Sequence, residues 1–469
     1  MLREKGNVRG QIQIYVLLLM SISWCIVSAH SDDRINEFEN AISRVDTMST
    51  LNSFSGVGKF YKIDYQGDYE YILQYMNLIF TGGAAATFSE FNCSLFSATG
   101  DDEKLFYGRN FDNPECDVLL GRYQSPGKHS SLAFTRLSDL GYPLGTDYFN
   151  LSFQQKKKML NAPYLATDGI NECGVAAGLA YVPSVTFTPD PDKQSIFITF
   201  LLRKILDEAD NCGEALTIAN SYNVFDGGNE LNIISHHILV SDSLGNSGIL
   251  EFAEGQWQHI TTNDNWQVLT NSPIYNVPVN TLLNQCWRYN LLYNSLLVEN
   301  GALTDWRQAM DILELASWDE GSSGTEWSTI SDLYHNYLYV SIDHNFENIV
   351  RTDLENFEFK NYGDINVASY DIQDENGNGT LEQGEGIVMV LNLTADFDTP
   401  GLTVTLSSDQ SGVNVINPVQ VYGDLEAQYE LSNYENPFVI ELTGSQIPTL
   451  LSWTLDFRLT MDIQEVKHL

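Results

Sequence analysis

The chain has 469 residues, of which 43% are hydrophobic and 12% aromatic. This is ample for a packed core and longer than one ordinary domain, so we expect two or three domains. The 62 acidic and 24 basic residues give a net charge of -38, which repels nucleic acid and anionic membrane surfaces and favours solubility. We therefore expect neither nucleic acid nor a membrane surface as a partner.

The first 29 residues have the pattern of a secretory signal peptide. Basic residues precede an apolar run over 14–27, which leads into the small-residue cleavage pattern Val27-Ser28-Ala29. The run is short and interrupted by serines, and no later segment approaches about 18 uninterrupted apolar residues. We predict cleavage after Ala29 and a secreted or periplasmic protein without a stable membrane span.

The cysteines indicate a thiol that stays unpaired. One of the six, Cys25, lies in the signal peptide, and the odd number that remains has no CxxC spacing. A buried, inert cysteine is the commoner outcome, but an exported protein that keeps a free thiol can also use it. Cys93 is the natural candidate.

Residues 30–92 begin polar and helical, continue through a tyrosine-rich stretch and end in a small-residue run over 82–86. We interpret this segment as a pro-segment or an N-terminal light chain.

A hairpin is predicted around Cys93. Residues 93–98 alternate as a short strand, 99–102 read as a turn, and the return strand carries Arg109 and Asp112 towards the cysteine. A thiol with an ordinary pKa of about 8.5 is a poor nucleophile, so a neighbouring cation and carboxylate favour its activation. A buried cysteine beside a structural salt bridge is the competing interpretation.

Next comes a polar turn over 168–174, which leads into a buried strand, two packing helices and a β-meander. His236 and His237 are adjacent in the meander, so their side chains point to opposite faces of the sheet. We found no accompanying carboxylate cluster in the sequence and predict sheet residues rather than metal ligands. The meander ends in a segment that carries Asn271.

A helix over 281–298 carries Arg288, a second follows Thr304 as its N-cap, and a last hairpin covers 325–342. Hairpins and meanders, rather than regular βαβ alternation, favour antiparallel sheets covered by helices. The predicted fold class is α+β.

From about residue 362 the helical patterns stop, and short alternating segments predict an all-β sandwich. A loop within it matches the twelve-position oxygen-ligand pattern of calcium loops. Its candidate ligands are Asp374, Asn376, Asn378, Thr380 and Glu385. Predicted strands flank the loop, so it is not an EF-hand, and a solvated Asn/Gly-rich turn is the alternative.

Five ordered motifs together resemble the choloylglycine hydrolase family of linear amide C–N hydrolases, over about residues 60 to 350. They are Cys93-Ser94-Leu95-Phe96, Gly108-Arg109-Asn110-Phe111-Asp112, Asp168-Gly169-Ile170-Asn171-Glu172-Cys173-Gly174, Leu269-Thr270-Asn271-Ser272-Pro273 and Thr325-Glu326-Trp327-Ser328. The resemblance implies a four-layer αββα N-terminal-nucleophile hydrolase over 93–358, followed by the β-sandwich accessory domain over 359–469.

The resemblance also implies roles for individual residues. Cys93 is the implied nucleophile, with Arg109 and Asp112 as its electrostatic and amine-orienting partners. Asn171 and Asn271 are implied to bind the tetrahedral oxyanion, and Arg288 is a sixth catalytic candidate.

In this family the α-amino group of the nucleophile is the general base, so the resemblance requires cleavage between Asn92 and Cys93. The implied function is hydrolysis of a linear, non-peptide amide bond in a small N-acyl molecule, through a thioester and without a catalytic cofactor. Two alternatives stay open. One is an acyltransferase that uses the same site, and the other is a calcium-binding surface or adhesion protein on an inactive hydrolase scaffold.

Overall fold

The structure is a computed structural model. It describes residues 44–53, 59–70, 92–101, 104–226, 232–318, 323–346, 349–361, 365–378, 382, 384–395, 399–408, 412–425, 430–443, 454–458 and 464–468. The predicted signal peptide lies outside these residues. No helix in the described ranges combines the length and apolar character needed to cross a membrane. The chain divides into two compact units, Met1–Asn336 and Tyr337–Leu469.

The larger sheet of the first unit is mostly antiparallel. Across the described ranges its strand order is β1 (Asn52–Ser53), β2 (Phe60–Gln66), β5 (Val118–Gln124), β6 (Ser131–Arg136), β7 (Asp168–Asn171), β8 (Ala176–Thr186), β11 (Ile233–Ser241), β12 (Ser247–Ala253) and β13 (Gln256–Ile260). Strand β2 pairs in parallel with β5, and Phe60 is fully buried. The segment that precedes Cys93 therefore supplies a strand and core residues to this sheet.

A second sheet in this unit carries the predicted hairpin. Its strands lie in the order β14 (Trp266–Leu269), β3 (Asn92–Asp101), β4 (Lys104–Pro114) and β15 (Ser323–Asp332). All three pairings are antiparallel, and Cys93 is directly opposite Phe111. A small parallel pair consists of β9 (Ser195–Phe197) and β10 (Asn223–Phe225). The hairpin prediction is confirmed.

Helices cover the outer faces of the two large sheets. The described helices are α1 (Phe153–Lys156), α2 (Ile198–Glu208), α3 (Cys212–Asn220), α4 (Val279–Gln285), α5 (Trp287–Glu299) and α6 (Trp306–Ala316), with a 3-10 helix at Lys157–Tyr164. Helix α2 contacts β7 and β8, α3 contacts β11 to β13, α5 contacts β3 and β14, and α6 contacts β4 and β15. Because β3 also packs on β8 and β11, the layers follow the predicted αββα order.

Two helix boundaries differ from the predictions. The helix predicted over 281–298 is broken at Cys286, which is extended and whose sulfur accepts a hydrogen bond from the amide of Tyr289. Arg288 consequently lies in the first turn of α5. The next helix is capped by Asp305, not Thr304, because the Asp305 side chain accepts from the amides of Arg307 and Gln308.

The second unit is all-β in its described residues. It begins with the antiparallel strands β16 (Tyr337–Ile342), β17 (Val350–Asp353) and β18 (Lys360–Asn361). A further sheet contains β19 (Ile365–Asp374), β20 (Gly386–Ala395), β25 (Phe438–Leu442), β22 (Val413–Val415) and β24 (Glu430–Ser432), and another contains β23 (Val419–Leu425), β21 (Thr399–Ser407), β26 (Thr454–Arg458) and β27 (Gln464–His468).

One hydrophobic core joins these last two sheets. Alternate residues of β20, from Ile387 to Leu393, pack with Leu402, Val404 and Leu406 of β21. This arrangement is the sandwich predicted from the period-two pattern. The predicted domain boundary at 358/359 falls inside the second unit, and it stays a prediction.

Candidate active site

Cys93 lies in β3 with its side chain completely buried. Arg109 is in the neighbouring strand β4, two residues from the position directly opposite Cys93, so both side chains project to the same face. The Nη2 atom of Arg109 is 3.3 Å from the cysteine Sγ atom. Its Nη1 donates to the carbonyl of Leu179 at 2.7 Å, and its Nε lies 3.3 Å from Asp168 Oδ1. One fixed cation therefore faces the sulfur.

Asp112 is three residues after Arg109 on the strand, so it projects to the opposite face. Its Oδ1 accepts from the Thr325 hydroxyl at 2.7 Å, and its Oδ2 accepts from Arg288 Nη1 at 2.9 Å. The same Arg288 nitrogen donates to the main-chain carbonyl of Cys93 at 2.7 Å. Arg109 thus contacts the sulfur of Cys93. Arg288 contacts its main-chain oxygen and links that oxygen to Asp112.

Asn271 follows β14 and faces the nitrogen of Cys93. In this uncut chain the Cys93 amide donates to Asn271 Oδ1 at 2.9 Å, and Arg288 Nη2 donates to the same oxygen at 2.8 Å. The Asn271 amide group donates to the carbonyl of Tyr181 at 2.9 Å. Five of the six predicted catalytic residues therefore converge: Cys93, Arg109, Asp112, Asn271 and Arg288.

Polar contacts from a buried histidine and a buried carboxylate hold the segment that carries Asn271. His237 Nε2 lies 2.8 Å from the carbonyl of Thr270, and its Nδ1 lies 2.9 Å from Glu251 Oε2. Glu251 also accepts from the amides of Ile274 and Tyr275. Both histidine nitrogens therefore face oxygen atoms, one of the Thr270 main chain and one of Glu251.

Several hydrogen-bond donors favour the ionised form of Glu251. Burial would raise its pKa, but hydrogen bonds from His237 and the two backbone amides lower the pKa overall. His236 and His237 are sheet residues as predicted. Each has one carboxylate partner, Asp226 for His236 and Glu251 for His237.

Burial dominates the titration of the site in the uncut chain. It raises the pKa of Cys93 to about 12, although Arg109 and Arg288 act in the opposite direction. It also raises the pKa of Asp112 to about 6 against the lowering effect of Arg288. In the intact chain the thiol is therefore neutral at neutral pH, and Asp112 is ionised.

The structure does not bring Asn171 to this cluster. Its amide nitrogen donates to the carbonyls of Leu206 and Ala209, and its Oδ1 accepts from the amides of Cys173 and Val175. These four hydrogen bonds use the donors and the acceptor lone pairs of the side chain. The geometry gives Asn171 a role in holding the 171–175 turn, and we do not retain it as an oxyanion donor.

Three residues that the sequence interpretation left without a role contact the site. They are Asp168 beside Arg109, Thr325 on Asp112 and the Tyr181 carbonyl on Asn271. Asp168 and Thr325 each open one of the five motifs, which was the available signal. Tyr181 carried no signal, because its contribution is a main-chain carbonyl.

The predicted calcium loop has the contacts of a turn. Glu385 is buried and accepts from the amides of Asn376 and Glu382, and Asn376 Oδ1 accepts from the amide of Asn378. Asp374 precedes the turn at the end of β19, and Thr380 lies outside the described residues. The candidate ligand atoms of this loop are all oxygens, which suits a hard cation such as Ca²⁺. The site stays a prediction.

Comparisons with known proteins give a family match that lies within the first unit. Residues 93–317 match the family model for linear amide C-N hydrolases, choloylglycine hydrolase family. The penicillin V acylase of Pectobacterium atrosepticum is 28% identical over 130 residues, which cover 26% of this chain and 33% of the acylase. The chain thus aligns with about a third of that relative's length.

Solved structures give a more distant likeness. Two crystal structures of conjugated bile acid hydrolase from Clostridium perfringens, a mutant and a variant, are each 16% identical to this chain. Each alignment covers 58% of this chain and 96% of the hydrolase, with TM-scores of 0.42 and 0.41.

Proposed function

Because residues 93–317 belong to the choloylglycine hydrolase family of linear amide C–N hydrolases, we propose that this protein hydrolyses the amide bond of a small N-acyl molecule with Cys93 as nucleophile. The observation that carries the proposal is the pair of guanidinium contacts on one residue. Arg109 lies 3.3 Å from its sulfur, and Arg288 lies 2.7 Å from its main-chain oxygen. A cation beside the sulfur favours the thiolate, which is the nucleophilic form of cysteine.

The proposed chemistry has two halves. The Cys93 sulfur attacks the amide carbonyl carbon, and its proton passes through the freed α-amino group to the leaving amine nitrogen as the C–N bond breaks. Water then attacks the thioester and releases the acid. Arg109 stabilises the developing thiolate, Asp112 orients the α-amino group, and Asn271 donates to the oxyanion.

A free α-amino group requires cleavage of the Asn92–Cys93 bond. In the uncut chain this nitrogen is a peptide amide and has no useful basicity. We propose that the Cys93 thiol attacks the Asn92 carbonyl carbon, that the C–N bond breaks as a thioester forms, and that water then releases Asn92. The family match supports this, since it begins at Cys93.

The N-terminal segment is expected to stay bound after cleavage. Phe60 stacks on Phe134, and Asp64 pairs with Arg122 at 2.6 Å. Together with the parallel β2–β5 ladder, these contacts favour a light chain over a discarded pro-segment. The predicted export after signal removal at Ala29 is part of the same proposal.

The test uses active protein purified from an exporting host. Intact mass and N-terminal sequencing should show a heavy chain that begins Cys-Ser-Leu-Phe, together with a bound fragment from upstream of Cys93. The purified protein is then assayed with N-acyl amides, conjugated bile salts, penicillin V and acyl-homoserine lactones. Added amines distinguish hydrolysis from acyl transfer by their products.

Two results would count against the proposal. Full activity from a chain still joined at Asn92–Cys93 would remove the N-terminal-nucleophile mechanism. A correctly cut protein that turns over no amide in the panel would favour the inactive scaffold.

A further inference from the structure

Outside the Cys93 site, three side chains of different chemistry converge from three loops. They are His129 between β5 and β6, Cys173 between β7 and β8, and Asp210 between α2 and α3. The Asp210 Oδ1 atom lies 2.8 Å from His129 Nε2 and 3.5 Å from Cys173 Sγ. The Cys173 sulfur is 3.5 Å from His129 Nδ1 and 3.8 Å from His129 Nε2. Imidazole, thiol and carboxylate thus point at one small volume.

These separations suit a tetrahedral zinc ion. With Zn–S near 2.3 Å and Zn–N and Zn–O near 2.0–2.1 Å, the ligand atoms of a tetrahedron lie roughly 3.3–3.6 Å apart. Two of the observed distances, 3.5 and 3.8 Å, lie within a few tenths of an ångström of that range. The third, 2.8 Å, requires the exposed Asp210 carboxylate to move outward by about half an ångström to fit. The imidazole must also turn so that Nε2 rather than Nδ1 faces the sulfur.

The backbone holds the three loops in place. The His129 amide donates to the Asp207 carbonyl at 2.9 Å. The amide of Glu172 donates to the Ser130 carbonyl at 2.8 Å. Asn171 links the loop at 173 to the loop at 210. Its side chain accepts from the amide of Cys173 and donates to the carbonyl of Ala209, which precedes Asp210. The ligand geometry is therefore set by the fold rather than by flexible side chains alone.

A carboxylate outside the ligand set completes a common metal arrangement. Glu172 Oε1 lies 3.5 Å from His129 Nδ1, the ring nitrogen that does not face Asp210. Metal-binding histidines usually direct their second ring nitrogen at a carboxylate or carbonyl, which fixes the tautomer. The charges also balance, because a thiolate and a carboxylate neutralise a divalent cation.

We propose that His129, Cys173 and Asp210 form a zinc site with three protein ligands and a fourth position open to water. The ion ties together the loops at 129, 173 and 210. It is separate from the Cys93 residues and has no step in the proposed amide hydrolysis. The competing interpretation is a protonated His129 paired with Asp210 and Glu172 in the absence of metal.

The experiment titrates Co²⁺ into metal-free, full-length Cys93→Ala protein, so that the nucleophile thiol cannot bind the probe. We expect a near-ultraviolet thiolate-to-cobalt absorption and tetrahedral d–d bands that saturate at one equivalent and are displaced by Zn²⁺. Adding Cys173→Ser should abolish the thiolate band. The matched control, Cys286→Ser, changes another half-buried cysteine and should leave the band intact.

Two further variants measure affinity by Zn²⁺ competition. Asp210→Asn changes a largely exposed carboxylate, so its folding risk is small, and it should weaken Zn²⁺ binding at least about a hundredfold. Glu172→Gln should weaken it roughly ten- to a hundredfold, as loss of a group that orients a ligand does. No thiolate band, or a band that survives Cys173→Ser, overturns the proposal in favour of the ion pair.

Discussion

Cys93 and Cys173 lie in the same unit, and both stay unpaired in the described structure, yet their neighbours carry opposite charges. Cys93 has Arg109 within 3.3 Å of its sulfur, whereas Cys173 has Asp210 within 3.5 Å of its own. The charge of the neighbours is therefore the basis on which we propose a nucleophile at Cys93 and a metal ligand at Cys173, although the residue type is the same.

The two thiols also differ in why they hold their protons. Burial raises the pKa of Cys93 to about 12, while Arg109 and Arg288 oppose the rise. For Cys173 the pKa rises to about 11, through burial first and then through Asp210, Glu172 and Glu214. A bound cation would offset that second set of charges. A raised pKa alone would not have told the two sites apart.

The largest expected effect comes from replacing Cys93 and Cys173, one at a time, with alanine. Cys93→Ala should remove self-cleavage and lower amide turnover at least about a thousandfold, because no other group can form the thioester. Cys173→Ala should keep kcat within a few-fold. Steady-state kinetics on folded protein, with far-ultraviolet circular dichroism as the folding check, measures both. Equal losses of amide turnover in the two variants would contradict the assignment of catalysis to Cys93 alone.

The two asparagines extend the same comparison. Asn271→Ala should lower kcat about a hundredfold with little change in KM, because an oxyanion donor acts mainly in the transition state. Asn171→Ala should instead lower the free energy of unfolding by at least about 2 kcal/mol, since it leaves buried backbone groups unsatisfied. Kinetics is measured on the fraction that begins at Cys93. A kcat loss in Asn171→Ala without loss of stability would restore it as an oxyanion donor.

Local geometry explains which parts of the site could be predicted from sequence. Cys93, Arg109 and Asp112 share one hairpin, and strand periodicity is enough to place them. Asn271 and Arg288 came only from the resemblance, because their contacts to Cys93 are made between distant segments. Asn171 sits in a motif with the right composition, and only the packing of α2 against its turn shows where the side chain points.

The fold was predictable to a similar degree. Period-two and helical patterns gave the layers, since each element buries one face. The break at Cys286 was not predictable, because apolar residues continue at helical spacing on both sides of it. The cluster of His129, Cys173 and Asp210 was also missed, as its ligands come from three loops with no metal-binding spacing.

Asp112 offers a pH test of the burial in the Cys93 site. Its pKa rises to about 6 on folding, from 3.8. The folded state therefore takes up the proton first as pH falls, and stability rises between about pH 6 and 4. We expect Cys93→Ala to gain about 2 kcal/mol of unfolding free energy over Cys93→Ala with Asp112→Asn between pH 7.5 and 4.5.

The comparison isolates Asp112 because both proteins share every other acidic group. The asparagine side chain does not titrate, so the cost of losing the ion pair with Arg288 is the same at both pH values. Denaturant unfolding at each pH supplies the four free energies. A pH-independent difference between the two proteins would mean that Asp112 is not buried as a carboxylate.

The smallest expected effect concerns the calcium loop, whose all-oxygen donors contrast with the sulfur and nitrogen ligands proposed at Cys173. If Ca²⁺ binds with a Kd of about 10⁻³ to 10⁻⁴ M, as in extracellular modules, then about 1 mM Ca²⁺ stabilises the second unit by about 0.4–1.4 kcal/mol. Glu385→Gln should abolish this shift in melting temperature, while Asp371→Asn, which changes an exposed carboxylate before the loop, should retain it. Amide turnover should not respond to Ca²⁺ in any of these proteins, because the loop contributes no residue to the Cys93 site. A calcium-induced shift that survives Glu385→Gln would place the ion elsewhere and leave this loop an ordinary solvated turn.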